Sequence, residues 1–187
     1  MIDRLTLPAS LSTRDFRVVL RRATKDDLHA IIGLLSDDPI SAGRGDVAGA
    51  DDEQAYGVAL DRIVADPSNE LLVAVNAAGA VVATLQLTVI PGMARRGSTR
   101  LLVEAVRVSS AERSSGIGSA IMRWVVDQAA VELGAPLVQL TSDAARVDAH
   151  RFYLRLGFVD SHIGFKYSVP QTPDAAPPGP TAHEATG

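Results

Sequence analysis

The stretch Val106-Arg107-Val108-Ser109-Ser110-Ala111-Glu112-Arg113-Ser114-Ser115-Gly116-Ile117-Gly118-Ser119-Ala120 decides how this chain is read. It begins as the end of an apolar strand over 100–108 and passes through a polar turn. It then opens a long helix from about Gly116 to Gly134. A helix start of this kind leaves backbone N–H groups without intrahelical acceptors, at the positive end of the macrodipole. Such donors make a site for a phosphate or pyrophosphate. Gly116 and Gly118 let backbone approach a ligand without a Cβ in the way. Arg113 adds a permanent charge, and Ser114, Ser115 and Ser119 add hydroxyl donors. A ligand-free strand-to-helix turn is the competing reading of the glycines alone. Neither nucleotide fingerprint fits: Gly118-Ser119-Ala120 lacks the P-loop lysine, and the dinucleotide motif needs a third glycine.

Working outward, the pattern alternates between strand and helix. Residues 16–21 (FRVVLR) read as a strand, and Thr24 with Asp27 three residues on resembles a capping box. Leu28, Ile31, Ile32 and Leu35 then recur at helical spacing. The segment 41–49 is glycine-rich and polar, a loop, and a second helix is expected over 51–65, stopped by Pro67. Strands follow over 70–76 and 80–89, joined by the turn Asn76-Ala77-Ala78-Gly79. After the helix to Gly134, residues 137–141 give a strand and 147–156 a helix ended by Gly157. A closing strand, or hairpin-like pair, is expected over 158–169. The fold class is therefore α/β: a single domain with a central mixed, mostly antiparallel sheet flanked by helices. The domain spans 16–169, after a loosely attached leader (1–15) whose Ile2, Leu5, Leu7 and Leu11 are able to dock. A tail (170–187) holds half of the 10 prolines and no large apolar residue, and reads as disordered.

Composition narrows the functions. At 187 residues, 47% apolar and 21% charged, the chain suits one hydrophobic core. It has no cysteine, which excludes disulfides, thiolate metal sites and a cysteine nucleophile. The net charge of -4 and the lack of a dense Lys/Arg run argue against nucleic acid as a partner. The apolar runs are too short to span a membrane, and no signal-peptide pattern opens the chain, so a cytoplasmic location is expected.

Two motifs in order carry a family resemblance. Arg113-x-x-Gly116-x-Gly118, after the strand end Val106-x-Val108, resembles the acetyl-CoA pyrophosphate motif of the GNAT acetyltransferases. Downstream, Ala149-His150-Arg151-Phe152-Tyr153-Leu154-Arg155-Leu156-Gly157-Phe158 is similar to that family's A-x-x-F-Y-x-x-x-G-F signature. The resemblance implies acetyl-CoA as cosubstrate, with Val106, Arg107 and Val108 along the pantetheine arm. Arg113, Ser114, Ser115, Gly116, Ile117, Gly118 and Ser119 would lie around the pyrophosphate. It implies direct transfer of the acetyl group to an amine in a ternary complex, and dimers are frequent in the family.

By the same resemblance Tyr153 is the general acid toward the departing thiolate; packing beside Phe152 is the alternative. Glu104 is the candidate base. It is a carboxylate within LLVEAVRV, two residues before Val106, so simple alternation puts those two on one face and Arg107 on the other. A salt bridge to Arg100 or Arg107 competes with that role. Asp37-Asp38 either attracts a cationic amine or is an exposed helix end. His150 and His162 suit packing or surface roles, and Asp143 stands near a position where relatives carry a pantetheine-binding Asn. No spacing suggests a metal site. The expected acceptor is a small-molecule primary amine. A peptide or protein amine, and an acyl-CoA-sensing domain without turnover, are the alternatives.

Overall fold

Alternating side chains build the strands, and a computed structural model sets them side by side in chain order. Residues 2–38, 49, 52–167 and 169 are described. Among them the sheet comprises β1 (Ala9–Ser12), β2 (Arg17–Arg22), β3 (Asn69–Val75), β4 (Val81–Ile90), β5 (Arg100–Val108) and β6 (Leu137–Leu140). Pairing is antiparallel from β1 to β5 and parallel between β5 and β6. The helices are α1 (Leu28–Ser36), α2 (Asp52–Ala65), α3 (Ile117–Trp124) and α4 (Val147–Arg155). A π-helical stretch, Val125–Ala129, and a last turn, Ala130–Glu132, prolong α3. This is the single α/β domain with a mixed sheet and flanking helices that the alternation implied. The segment 41–48 and the tail 170–187 lie outside the described residues.

Register decides which side chains meet which helix. Leu72 pairs with Leu85 and Ala74 with Ala83, and these face α3 with Val18, Leu20, Leu87, Leu101 and Val103. Ile117, Ile121, Met122 and Val125 of the helix close that core, all but fully buried. The opposite face carries Leu71 and Val73 against Ile31 of α1 and Leu60 of α2. Burial of each such side chain contributes roughly 1.5–3 kcal/mol, against about 0.3–1 kcal/mol for charge at a helix end. Packing therefore fixes where the first turn of α3 points, and any ligand there meets a preset terminus.

Two expectations change. The leader is not loose: β1 pairs with β2, and Ile2, Leu5 and Leu11 are buried in the α3-side core. Its spaced apolar residues had sheet and helix surface to cover. The closing strand does not form over 158–167, where no regular element occurs. Residues 159–169 alternate well, yet Ile163, Phe165 and Tyr167 are exposed, because alternation specifies a face and not a ladder partner.

The α1 entrance shows the local chemistry at work. Asp27 Oδ2 accepts the Thr24 backbone N–H (2.8 Å), completing the expected capping box. The same carboxylate takes both Arg21 Nη atoms, at 2.7 and 2.8 Å. Arg21 and the Thr24 donors hold its pKa below the ordinary carboxylate range, against the opposing effect of burial. Because Arg21 is 35% exposed, solvent screens the pair and lowers its worth below that of a fully buried one. Asp27→Asn is expected to lower stability by about 2 kcal/mol at neutral pH in chemical denaturation. A depressed folded-state pKa stabilises above the unfolded value, about 3.9, and the effect is lost as pH falls through the lower folded value. The gap between Asp27→Asn and the parent should therefore close in acid; a pH-independent gap would mean that packing, not the ion pair, is what was lost.

Candidate functional site

The site begins with a bulge in β5. Thr84 pairs with Arg107 and Gln86 with Glu104, so Leu85 alone stands opposite both Ala105 and Val106. Ala105 takes φ 50, a left-handed value unusual for a residue with a Cβ. The extra residue resets the alternation. Val106 and Val108 both pack toward the α3-side core, while Glu104 and Arg107 share the opposite face, since Gln86 and Thr84 lie two apart on β4. Both face assignments made by simple alternation are corrected: Glu104 does not share a face with Val106, and it does share one with Arg107. Nor does Glu104 sit in an apolar environment, because its side chain is exposed.

Beyond the bulge β5 loses its second neighbour. Its parallel ladder with β6 runs only from Arg100–Leu137 to Val103–Leu140. Residues 104–108 continue along β4 alone, so among the described residues their other edge has no ladder partner. Such an edge accepts an extended ligand as an added strand. The Val106 carbonyl is engaged, accepting from Arg107 Nη1 at 2.9 Å.

The edge leads into the turn read first in the sequence. Ser114 (φ 67) and Gly116 (φ 93) both adopt left-handed conformations. Gly116 is the residue before α3, and only glycine takes that φ without strain. The first helical hydrogen bond runs from Ala120 N to Gly116 O (3.0 Å). The N–H groups of Ile117, Gly118 and Ser119 therefore have no acceptor within the helix and stand at its positive end. A Cβ at Gly118 would stand in ordinary contact with Phe152 Cζ (3.4 Å) and Val108 Cγ2 (3.7 Å), so the first turn of α3 lies directly against α4 and β5. Arg113 is turned to α1, donating to the Asp37 carbonyl at 2.9 Å. Ser115 Oγ donates to the Glu112 carbonyl at 2.6 Å, and Ser114 is exposed.

Asp37 and Asp38 are not an exposed helix end. Asp37 Oδ2 accepts the Ser110 N–H at 2.6 Å, tying the end of α1 to the start of the turn. That bond, ahead of the Arg113 charge, lowers the Asp37 pKa. A cleft of about 470 Å³ opens beside it, bounded by Ala30, Gly33, Asp37, Ser109 and Ser110. Asp38 is buried, ion-paired through Oδ2 to Arg146 Nη1 and 3.9 Å from Arg107 Nε.

Tyr153 stands on α4, and Arg146 is the residue just before that helix, with a non-helical backbone. Its ring packs edge-on against Phe152 (5.1 Å between centroids) and Phe158 (5.8 Å). Burial raises its phenol pKa, and the charges of Arg107 and Arg146 pull the other way. His150 turns back on the carbonyl of Asp143 (2.8 Å), and Asp143 Oδ1 accepts the Ala145 N–H. His162 lies in the exposed segment beside Ser161. Arg146 gave no signal in the sequence: it precedes the helix, and its partner Asp38 is 108 residues away.

Comparison with known proteins agrees with this geometry. The model of the Acetyltransferase (GNAT) family matches residues 28–158. A solved structure described as a transcriptional regulator from Bacillus halodurans C-125 is 39% identical, with 81% of this chain and 99% of that chain covered and a TM-score of 0.76. Glucosamine-6-phosphate N-acetyltransferase from Arabidopsis thaliana shares the fold at 19% identity, with 81% and 97% covered and a TM-score of 0.65. Aminoalkylphosphonate N-acetyltransferase of Salmonella typhimurium strain LT2 is 43% identical over 53 residues. That match takes in 28% of this chain and only 34% of the relative. With the family model spanning most of the chain, from α1 through α4, the protein belongs to the GNAT acetyltransferase family.

Proposed function

We propose that this acetyltransferase moves the acetyl group of acetyl-CoA directly to a primary amine of a small molecule, with both substrates bound together. The observation that carries this reading is continuity: the unpaired edge of 104–108 runs straight into the free amides of Ile117, Gly118 and Ser119. An extended pantetheine arm along the first would deliver its pyrophosphate to the second. The partial match to an aminoalkylphosphonate N-acetyltransferase supports a small acceptor.

The chemistry asked of the chain is modest. Holding amine and thioester together supplies much of the rate through orientation. The amine nitrogen attacks the thioester carbonyl carbon, the C–S bond breaks, and the sulfur leaves with the bonding pair. Tyr153 donates its proton to that sulfur. Its raised pKa keeps the phenol protonated past the ordinary value of about 10, so the acid is loaded at neutral pH. The amine attacks in its neutral form, and the one proton its nitrogen sheds once the C–N bond forms passes to Glu104 through water, for which the exposed carboxylate is suited. A domain that merely senses acyl-CoA would bind it equally well and release no thiol.

Tyr153→Phe keeps the ring packing and removes the acid. It is expected to bind acetyl-CoA as the parent does in a thermal-shift titration, while kcat from thiol release falls roughly 10²-fold. Unchanged turnover would remove Tyr153 from the mechanism. Gly116→Ala should lower stability by about 1–2 kcal/mol through its left-handed φ alone. Gly116→Glu should in addition abolish the acetyl-CoA-dependent rise in melting temperature. A parent-like rise in Gly116→Glu would place the pyrophosphate elsewhere.

A further inference from the structure

The β1–β2 hairpin ends against the turn before α3. Its tip is Thr13-Arg14-Asp15-Phe16, and Thr13 closes it. The Thr13 N–H donates to the Phe16 carbonyl at 2.9 Å, and Thr13 Oγ1 accepts the Phe16 N–H at 3.2 Å. Leu11 anchors the hairpin in the α3-side core. The tip therefore has a set position, and that position is beside Gly116. A Cβ built on Gly116 would stand 3.7 Å from Thr13 Cβ and 3.9 Å from the Arg14 backbone nitrogen. Gly116 in turn precedes the free amides of Ile117, Gly118 and Ser119. Arg14 is exposed, and among the described residues its side chain has no ion pair or hydrogen bond, neighbouring Asp15 included. A lone cation near the positive end of a helix is unfavourable in the free protein, and an anion held between them reverses that. Arg113, the cation that the sequence places in this turn, is engaged elsewhere. It donates to the Asp37 carbonyl at 2.9 Å and lies 3.9 Å from the Asp37 carboxylate.

We propose that Arg14 binds the diphosphate of the acetyl-CoA cosubstrate. The hairpin tip, which lies ahead of the residues that match the family, is then part of the cosubstrate site. The α3 amides supply fixed donors without net charge. Arg14 adds the net charge, and its guanidinium presents parallel N–H donors to two phosphate oxygens at once. Thr13 and Leu11 already hold the backbone of the hairpin, so binding has to order only the one side chain. The contact is made far from the reacting atoms, equally in the ground and transition states. It therefore acts on affinity and not on turnover. This inference rests on the reading that places acetyl-CoA along the β5 edge and on the α3 terminus.

The test is calorimetric titration of the full chain with CoA and with 3′-dephospho-CoA. Thiol release from acetyl-CoA with a panel of small primary amines, and the melting temperature of the free protein, are measured alongside. In Arg14→Gln both ligands should bind about tenfold more weakly, and Arg14→Lys, which keeps the charge, should recover most of the loss. The gap between Arg14→Gln and the parent should narrow at about 1 M salt, where charge contacts are screened. KM for acetyl-CoA should rise with kcat unchanged. The free Arg14→Gln protein should melt no lower than the parent, because the change removes a cation from a helix N-terminus. Parent-like affinity of Arg14→Gln for CoA would overturn the proposal. So would a loss confined to CoA, which would put Arg14 on the 3′-phosphate. A loss that salt leaves unchanged, with a lower melting temperature, would also overturn it and make the tip purely structural. Failure of the parent to bind CoA would sink the proposal together with the acetyl-CoA reading. Arg14-dependent CoA binding without thiol release from any amine would sink the transfer reading and leave the role of Arg14 standing.

Discussion

Between Glu104 and Arg107 the chain spends one residue more than β4 has opposite it, and the geometry of the site follows from that insertion. The bulge at Ala105 turns Val106 and Val108 together into the α3-side core and sends Arg107 to the face where α1 ends. It lies where the β5–β6 ladder stops, so the strand keeps its apolar anchorage while one edge is released. A regular strand would have buried Arg107 against α3 or exposed Val106, and either outcome loses more than the few lost ladder contacts. The left-handed Ala105 is strain held in place by packing on both sides.

A second constraint links the site across the sequence. The end of α1 is bonded twice, through Asp37 to the turn before α3 and through Asp38 to the residue before α4. Loop, central helix and tyrosine-bearing helix are thereby set against one another before any ligand arrives. Preorganisation of this kind lowers the ordering that binding would otherwise require. The two aspartates are adjacent, yet one holds the turn before α3 and the other the residue before α4. A change at the α1 terminus should therefore be felt at both.

Much of this was legible in the residues. The strand-to-helix turn, the glycine at 116, the capping box at Thr24–Asp27 and the Asn76–Gly79 turn all follow from local chemistry, and the structure has them. The misses share a cause. Parity along β5 failed because a bulge is decided by what lies across the ladder, not by the strand's own residues. Asp38 reads as a lure for a cationic amine or an exposed helix end, and Arg107 as part of the pantetheine edge, until the fold brings both to Arg146. The segment after Gly157 shows the opposite error, in which a correct alternation has no strand to pair with.

The most direct measurement of the central claim is amide hydrogen exchange with and without acetyl-CoA. If the cosubstrate lies along the released β5 edge and ends on the α3 terminus, exchange should slow in 104–108 and at Ile117, Gly118 and Ser119, with the β2–β3 ladder unchanged. Protection elsewhere, with these amides exchanging as in the free protein, would contradict the account and would detach the bulge, the turn and Tyr153 from a common role.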